Sequence, residues 1–199
     1  MTLVQTYNRI AHDYAEDHKD DRWGYDLIDE MISHIPKDAE ILDAGCGPGY
    51  ECAYMARQGY SVMGVDFSAA MIREARKRHP GLSFVVMDMT ALKFPENSFD
   101  AIICRSVLHH MPKSQTAAIL RKLAATAKRD GWLYLSVKGG TGESFETESD
   151  YGYVYRRYYT YFLVNELKKL FEDVDLAVVK SAVVSGANAN RVQLLARKT

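Results

Sequence analysis

Apolar positions along the chain switch between two spacings. Short consecutive runs, such as Ile41-Leu42 within residues 38–43 and Ala101-Ile102-Ile103 within 99–104, read as strands buried on both faces. Similar runs at 61–66, 82–87 and 132–137 add three more. Between them the apolar residues recur at helical spacing. Residues 51–57 form a helix stopped by Gly59, and a second starts after Ser68 as N-cap, runs through Met71, Ile72 and Ala75 and ends at His79-Pro80-Gly81. A third covers 114–129 and is broken by Asp130-Gly131. Residues 23–34 and 163–171 read as helices as well. Residues 174–184 and 191–196 read as strands joined at the turn-rich Gly186-Ala187-Asn188-Ala189-Asn190, a hairpin. Strand and helix in alternation predict an α/β fold: a doubly wound, mainly parallel seven-stranded sheet, Rossmann-like, closed by a C-terminal antiparallel hairpin. Such sheets take ligands at the carboxyl ends of their strands, where strand order reverses.

No repeat or linker interrupts the pattern. A chain of 199 residues is expected to form one domain: a cap over 1–36, a ligand-binding core over 38–138, an insertion over 139–161 and a closing helix and hairpin over 162–199. The composition is that of an ordinary globular protein, 47% hydrophobic with formal net charge −1, which argues against a dedicated nucleic-acid binder and leaves only a local basic patch. No run approaches a membrane span, and the start lacks an export signal, so a cytoplasmic location is expected. Cys46, Cys52 and Cys104 have neither disulfide nor zinc spacing and read as reduced thiols; no metal is expected.

The chemistry begins at Asp43-Ala44-Gly45-Cys46-Gly47-Pro48-Gly49, a glycine turn between the first strand and its helix. Glycine lets backbone turn sharply and approach a ligand closely. A dinucleotide fingerprint counted from Gly45 needs a small third residue where Tyr50 stands, and no GKS or GKT occurs for a Walker loop. Asp43 opens the turn with a negative charge suited to a cation, as on a ligand with an amino-acid end and a sulfonium. Asp66 closes the second strand, where a carboxylate accepts both hydroxyls of a ribose, and Asp88 closes the third, placed to accept from an adenine amine beside the Met89 amide.

Residues 41–49, the stretch Val62-Met63-Gly64-Val65-Asp66-Phe67-Ser68, Met87-Asp88-Met89, residues 94–100, Ser106-Val107-Leu108-His109-His110-Met111 and Arg129-Asp130-Gly131-Trp132-Leu133 together resemble, in order and spacing, the motifs of class I S-adenosylmethionine-dependent methyltransferases. The resemblance spans roughly residues 38–138. Residues 7–14 are similar to the cap of the small quinone-biosynthesis-like branch (methyltransferase type 11). The resemblance implies S-adenosyl-L-methionine as cofactor: Gly45, Gly47 and Gly49 along its methionine end, Asp43 near its amino group, Asp66 on the ribose, Phe67 or Met71 on adenine, Asp88 and Met89 at the adenine edge, and the backbone at Arg105 closing over the methionine.

Methyl transfer to a hydroxyl or carbon acid usually needs a base, and His109 and His110 follow the fourth strand. Adjacent residues on a helical turn diverge, so only one is expected to face the ligand, with His110 favoured. Residues 104–107 lack the motif of nucleic-acid amine methyltransferases. Ile103, not proline, precedes Cys104, which argues against a cysteine nucleophile. Six of the 13 tyrosines crowd residues 151–161, after the glycines at 139–142, and read as an aromatic lid on a mobile glycine hinge. Tyr158, Tyr161 and Arg157 from the lid, and Tyr7 and Tyr14 from the cap, are the expected acceptor contacts. The acceptor is expected to be a small molecule. An RNA or protein acceptor, docked on Arg156, Arg157, Arg105 and Lys138, is the alternative, as is a non-catalytic cofactor-binding protein; a nicotinamide enzyme is disfavoured by Tyr50.

Overall fold

A computed structural model describes residues 1–185 and 190–199. Seven strands form one sheet: β1 (Glu40–Ala44), β2 (Ser61–Asp66), β3 (Ser83–Val86), β4 (Phe99–Arg105), β5 (Ala127–Lys138), and, after the two-stranded ribbon described below, β8 (Leu176–Val184) and β9 (Arg191–Lys198). Their order is β3-β2-β1-β4-β5-β9-β8. The first five are parallel, and β9 enters antiparallel between β5 and β8. Four of the tight turn residues expected between the last two strands, 186–189, lie outside the described residues.

Alternation along the strands divides the core between the two faces. Leu42, Ile102 and Leu133 pack on one side with Leu120, Phe162 and Phe171. Ile41, Ile103 and Tyr134 pack on the other with Ile28, Met31 and Met55. Because β1 and β4 are central, both sets are buried, which is why these strands read as unbroken apolar runs. The helices α2 (Tyr25–Ser33), α3 (Tyr50–Arg57), α4 (Ala69–Arg78), α5 (Lys113–Thr126) and α6 (Val164–Glu172) cover the sheet. The Ser68 hydroxyl caps α4 by accepting from the Met71 amide at 3.2 Å, and three basic residues close its last turn, where the helix dipole favours them. α5 ends three residues before the sequence pattern suggests, because Ala127 already pairs with Phe99 as the start of β5.

Two elements depart further from expectation. The cap is a four-turn helix, α1 (Leu3–His18), started by a reciprocal cap between Thr2 and Gln5. Ile10, Ala11 and Ala15 form its buried stripe. The tyrosine-rich insertion, expected as an aromatic lid, is an antiparallel ribbon, β6 (Glu143–Glu148) and β7 (Tyr155–Thr160). Its glycine base is hydrogen-bonded, Gly139 N–H to the Asn190 carbonyl at 2.7 Å and Gly140 N–H to the Phe162 carbonyl at 3.1 Å. α1 and the ribbon meet above the carboxyl ends of the strands. Tyr151 donates to Asp17 at 2.9 Å, Arg9 lies over the Tyr153 ring at 4.1 Å, and Arg157 donates to Tyr7 at 3.0 Å. Among the described residues no helix is long and apolar enough to cross a membrane.

Candidate active site

Under this arch lies a cavity of about 650 Å³ that runs from the glycine turn to the ribbon. Gly45 and Cys46 donate to the Val65 carbonyl at 2.7 and 2.9 Å, which folds the turn back over the end of β2. Gly45 (φ +90°), Gly47 (φ +49°) and Gly49 (φ +81°) all occupy the left-handed region. They serve different needs. A Cβ on Gly45 would sit 2.2 Å from Val107 Cγ2, and one on Gly49 2.7 Å from the Phe84 ring, whereas one on Gly47 would meet nothing within 4 Å. Gly47 and Gly45 line the cavity; Gly49 is a packing residue behind it.

Asp66 is the acid the cavity keeps. Its two oxygens accept from Gly47 N–H at 3.0 Å and Ser68 N–H at 2.8 Å. Burial pushes its carboxyl up to about 6, against the pull of those two amides. Phe67 and Met71 line the same wall. Asn8 fastens α1 here, accepting from Ser68 Oγ at 2.9 Å and Ala70 N–H at 3.0 Å. Asp43 is buried behind the turn, takes a hydrogen bond from Cys52 Sγ at 3.3 Å, and is not on the cavity wall. Burial, with Glu51 adding to it, holds its carboxyl well above the usual range, so it makes a poor seat for a cation. The acid facing the cavity in its place is Glu51, in the first turn of α3, which pairs with Arg105 at 2.7 Å. Asp88 and Met89 also stand apart from the cavity. Asp88 is exposed and caps a 3₁₀ turn by accepting from Thr90 N–H at 2.8 Å, and Met89 belongs to the core.

The far wall is built on the turn after β4. Ser106 has φ +60°, an unusual conformation for a residue with a side chain and one often found at functional sites. The 3₁₀ turn Leu108–His110 follows. Both histidines line the cavity, against the expectation that their side chains would diverge. Their ring centroids are 4.5 Å apart, because the tight turn and the overlying Tyr159 ring hold both inward. Hydrogen bonding fixes opposite tautomers. His110 Nδ1 faces the Tyr158 carbonyl at 3.1 Å, so it carries the proton, and Nε2 accepts from the Tyr7 hydroxyl at 2.8 Å. His109 Nδ1 accepts from Lys138 N–H at 3.3 Å, so its proton is on Nε2. Burial lowers both, His110 to about 3 with Arg157 and Lys138 adding to the effect, so both rings are neutral at pH 7.

Tyr7, Tyr14 and Arg157 line the cavity as expected; Tyr158 and Tyr161 do not. For Tyr158 the reason is strand parity. On β7, Arg157 and Tyr159 point inward, while Tyr158 turns outward against Phe145, with ring centroids 5.1 Å apart. Tyr161 lies past the ribbon beside Gly140. Arg157 pairs with Glu148, which also accepts from the Tyr159 hydroxyl at 2.7 Å, giving a continuous chain Glu148–Arg157–Tyr7–His110. Sequence reasoning passed over Glu51, Trp23, Glu148, Tyr159 and Arg191, all on the cavity wall. Among the described residues no group of three or more His, Cys, Asp or Glu is arranged to hold a metal. All three cysteines are buried and free, and burial raises the Cys104 thiol to about 12.

A parallel sheet with its last strand reversed and a cavity over the strand ends, walled by a bare glycine turn and an acid closing β2, defines the class I S-adenosylmethionine-dependent methyltransferase fold. Residues 41–131 match the methyltransferase domain family. Over 124 residues the chain is 32% identical to the ubiquinone biosynthesis O-methyltransferase of Albidiferax ferrireducens, covering 58% of this chain and 48% of that protein. It is 33% identical over 97 residues to the demethylmenaquinone methyltransferase of Renibacterium salmoninarum, covering 48% and 40%. The chain thus spans about half the length of the curated relatives it matches. The crystal structure of a Burkholderia thailandensis 1,6-didemethyltoxoflavin-N1-methyltransferase, solved with 1,6-didemethyltoxoflavin and S-adenosylhomocysteine bound, is similar with TM-score 0.77 at 25% identity, covering 99% of this chain and 87% of that one. Over its core the chain is thus similar to S-adenosylmethionine-dependent methyltransferases, among them enzymes of quinone biosynthesis.

Proposed function

We propose that the chain transfers a methyl group from S-adenosyl-L-methionine to a small-molecule acceptor by in-line displacement. The carrying observation is the juxtaposition of two chemistries in one cavity: a glycine turn open at Gly47 beside Asp66, and an aromatic chamber roofed by α1 and the ribbon. The residues fit the cofactor. The space at Gly47 is a cradle that a side chain would fill, and Arg105 Nε and Ser106 Oγ are buried polar atoms without a partner. Asp66 would accept the ribose hydroxyls, Phe67 and Met71 would flank adenine, and Glu51 with Arg105 would hold the amino-acid end. The cofactor supplies an activated methyl on a positive sulfur, so the protein's task is to position a nucleophile and exclude water.

His110 is the proton acceptor of the proposal. Its Nε2 lone pair is already aimed at Tyr7, whose oxygen receives Arg157 on its other side. An acceptor hydroxyl that donates to the Tyr7 oxygen passes its proton on as the Tyr7 proton moves to Nε2, and the Tyr158 carbonyl stabilises the resulting imidazolium through Nδ1–H. Burial makes the free ring a weak base, and a negative charge developing on the acceptor reverses that. His110→Ala is expected to lower kcat by about 10²- to 10⁴-fold with S-adenosylhomocysteine affinity nearly unchanged. An unchanged kcat assigns His110 to packing.

The core over 38–138 carries the cofactor in this reading, and the cap and ribbon carry the acceptor. The roof of α1 and the ribbon over the cavity supports a small molecule over RNA or protein, and the free thiols suit the cytoplasm. The test is label transfer from methyl-labelled S-adenosylmethionine to pooled metabolites, bulk RNA and bulk protein. Label in the metabolite pool alone is the expected result. Label in RNA or protein replaces the acceptor class, and tight cofactor binding with no transfer to any pool makes the chain a binding protein.

A further inference from the structure

Four cationic side chains line the cavity: Arg105, Lys138, Arg157 and Arg191. Three are answered by carboxylates within ion-pair distance, Arg105 by Glu51, Lys138 by Glu146 at 3.1 Å and Arg157 by Glu148. Arg191 has no such partner among the described residues, and residues 186–189 contain no acid in their sequence. The arrangement around it is electrostatically costly. Arg191 stands directly opposite Lys138 across β5 and β9, so the two cations share one face of the sheet, and like charges so placed repel. Its guanidinium carbon lies 4.2 Å from the Trp23 ring centroid, and that of Arg105 lies 3.8 Å from the same ring. Burial and the neighbouring Arg105 push the Arg191 side chain down from its ordinary value. Asp21 faces the guanidinium without forming an ion pair. Asp17 and Asp150 are exposed, where water screens them, and Asp66 belongs to the glycine-turn wall.

On the methyl-transfer reading, we propose that Arg191 is a specificity-determining residue and that it receives a carboxylate carried by the methyl acceptor. A guanidinium seated over an indole at 4.2 Å keeps its N–H groups for a ligand, and their fork matches a carboxylate in a two-point bond. The cofactor does not meet the same need. Its amino-acid end is a zwitterion, for which the paired Glu51 and Arg105 already offer one charge of each sign, and its sulfonium adds a further positive charge. An acceptor anion relieves the repulsion among Arg191, Lys138 and Arg105, and its charge also favours the imidazolium form of His110.

The test uses the whole chain loaded with S-adenosylhomocysteine and titrated calorimetrically with 3,4-dihydroxybenzoate and with catechol, which differ by one carboxylate. The acid is expected to bind at least about tenfold more tightly. Arg191→Gln is expected to remove that preference while S-adenosylhomocysteine affinity stays within about twofold, and Arg191→Lys to retain part of it. Equal binding of the two probes to the native chain, binding of neither, or a preference that survives Arg191→Gln overturns the proposal. So does a loss of S-adenosylhomocysteine binding in Arg191→Gln, which assigns the guanidinium to the cofactor. Failure of the native chain to bind S-adenosylhomocysteine at all sinks the methyltransferase reading itself.

Discussion

Gly45→Ala is expected to unfold at a much lower temperature, whereas Gly47→Ala is expected to leave the fold nearly intact and to weaken S-adenosylhomocysteine binding by about tenfold or more. The two glycines are two residues apart in the same turn, both at positive φ, yet only Gly45 is packed. Its added methyl would lie 2.2 and 2.8 Å from the two Val107 methyls, and Val107 is largely buried, so room for it must come from a shift of that wall. Overpacking of this kind costs about 1 to 3 kcal/mol and the left-handed backbone about 1 to 2 more. In a domain of this size, a combined loss of about 2 to 5 kcal/mol lowers Tm by roughly 4 to 20 °C. At Gly47 only the backbone cost applies, about 1 to 2 kcal/mol, because no atom lies within 4 Å. The methyl would instead project into the space reserved for ligand, and S-adenosylhomocysteine affinity falls by about tenfold or more. Thermal melts with and without ligand separate the two outcomes. If both variants melt alike and bind alike, the division of labour within the turn is wrong.

Asp66→Ala is expected to weaken S-adenosylhomocysteine binding by about 1.5 to 3 kcal/mol, the range for hydrogen bonds to a charged group. The pH dependence carries a second signature. With its carboxyl raised to about 6 in the folded chain, against about 3.9 when unfolded, Asp66 holds its proton more tightly in the native state. Its contribution to stability is therefore most favourable in acid. It declines as pH rises from about 4 through 6, by a total of roughly 3 kcal/mol. Ligand binding runs the opposite way, because the ionised carboxylate is the better acceptor of ribose hydroxyls: affinity falls as pH drops below about 6. Asp66→Asn should flatten both curves. An affinity for S-adenosylhomocysteine that is independent of pH between 5 and 8 in the native chain would remove Asp66 from the ribose.

These two residues were legible in the sequence because their roles depend on local order: a strand, a glycine turn, and an acid at the end of the next strand. The sheet was legible for the same reason, since central strands buried on both faces cannot hide their apolar runs, and the reversed last strand follows from two adjacent apolar runs with a turn between them. The acceptor chamber was not, and its errors are specific. Tyr158 and Tyr161 were separated from Tyr159 by nothing in composition. Only the pairing of β7 with β6 over residues 155–160 and 143–148 sets which faces Tyr158 and Tyr159 take, and Tyr161 falls outside that pairing. Glu51 sits in a helix like any surface acid until α3 is docked. Trp23 and Arg191 come from opposite ends of the chain, and no local pattern brings them together. Asp43 shows the converse: a motif position carries the expectation of a ligand contact, whereas its side chain lies buried behind the turn.

The bridges between α1 and the ribbon, Tyr151 to Asp17, Arg9 to Tyr153 and Arg157 to Tyr7, have a kinetic consequence. Each is polar or charge-assisted, and each weakens as salt screens charge. Where product release crosses this latch, faster exit at higher ionic strength, with the methyl-transfer step itself unaltered, is the trace expected on comparing single-turnover with steady-state rates.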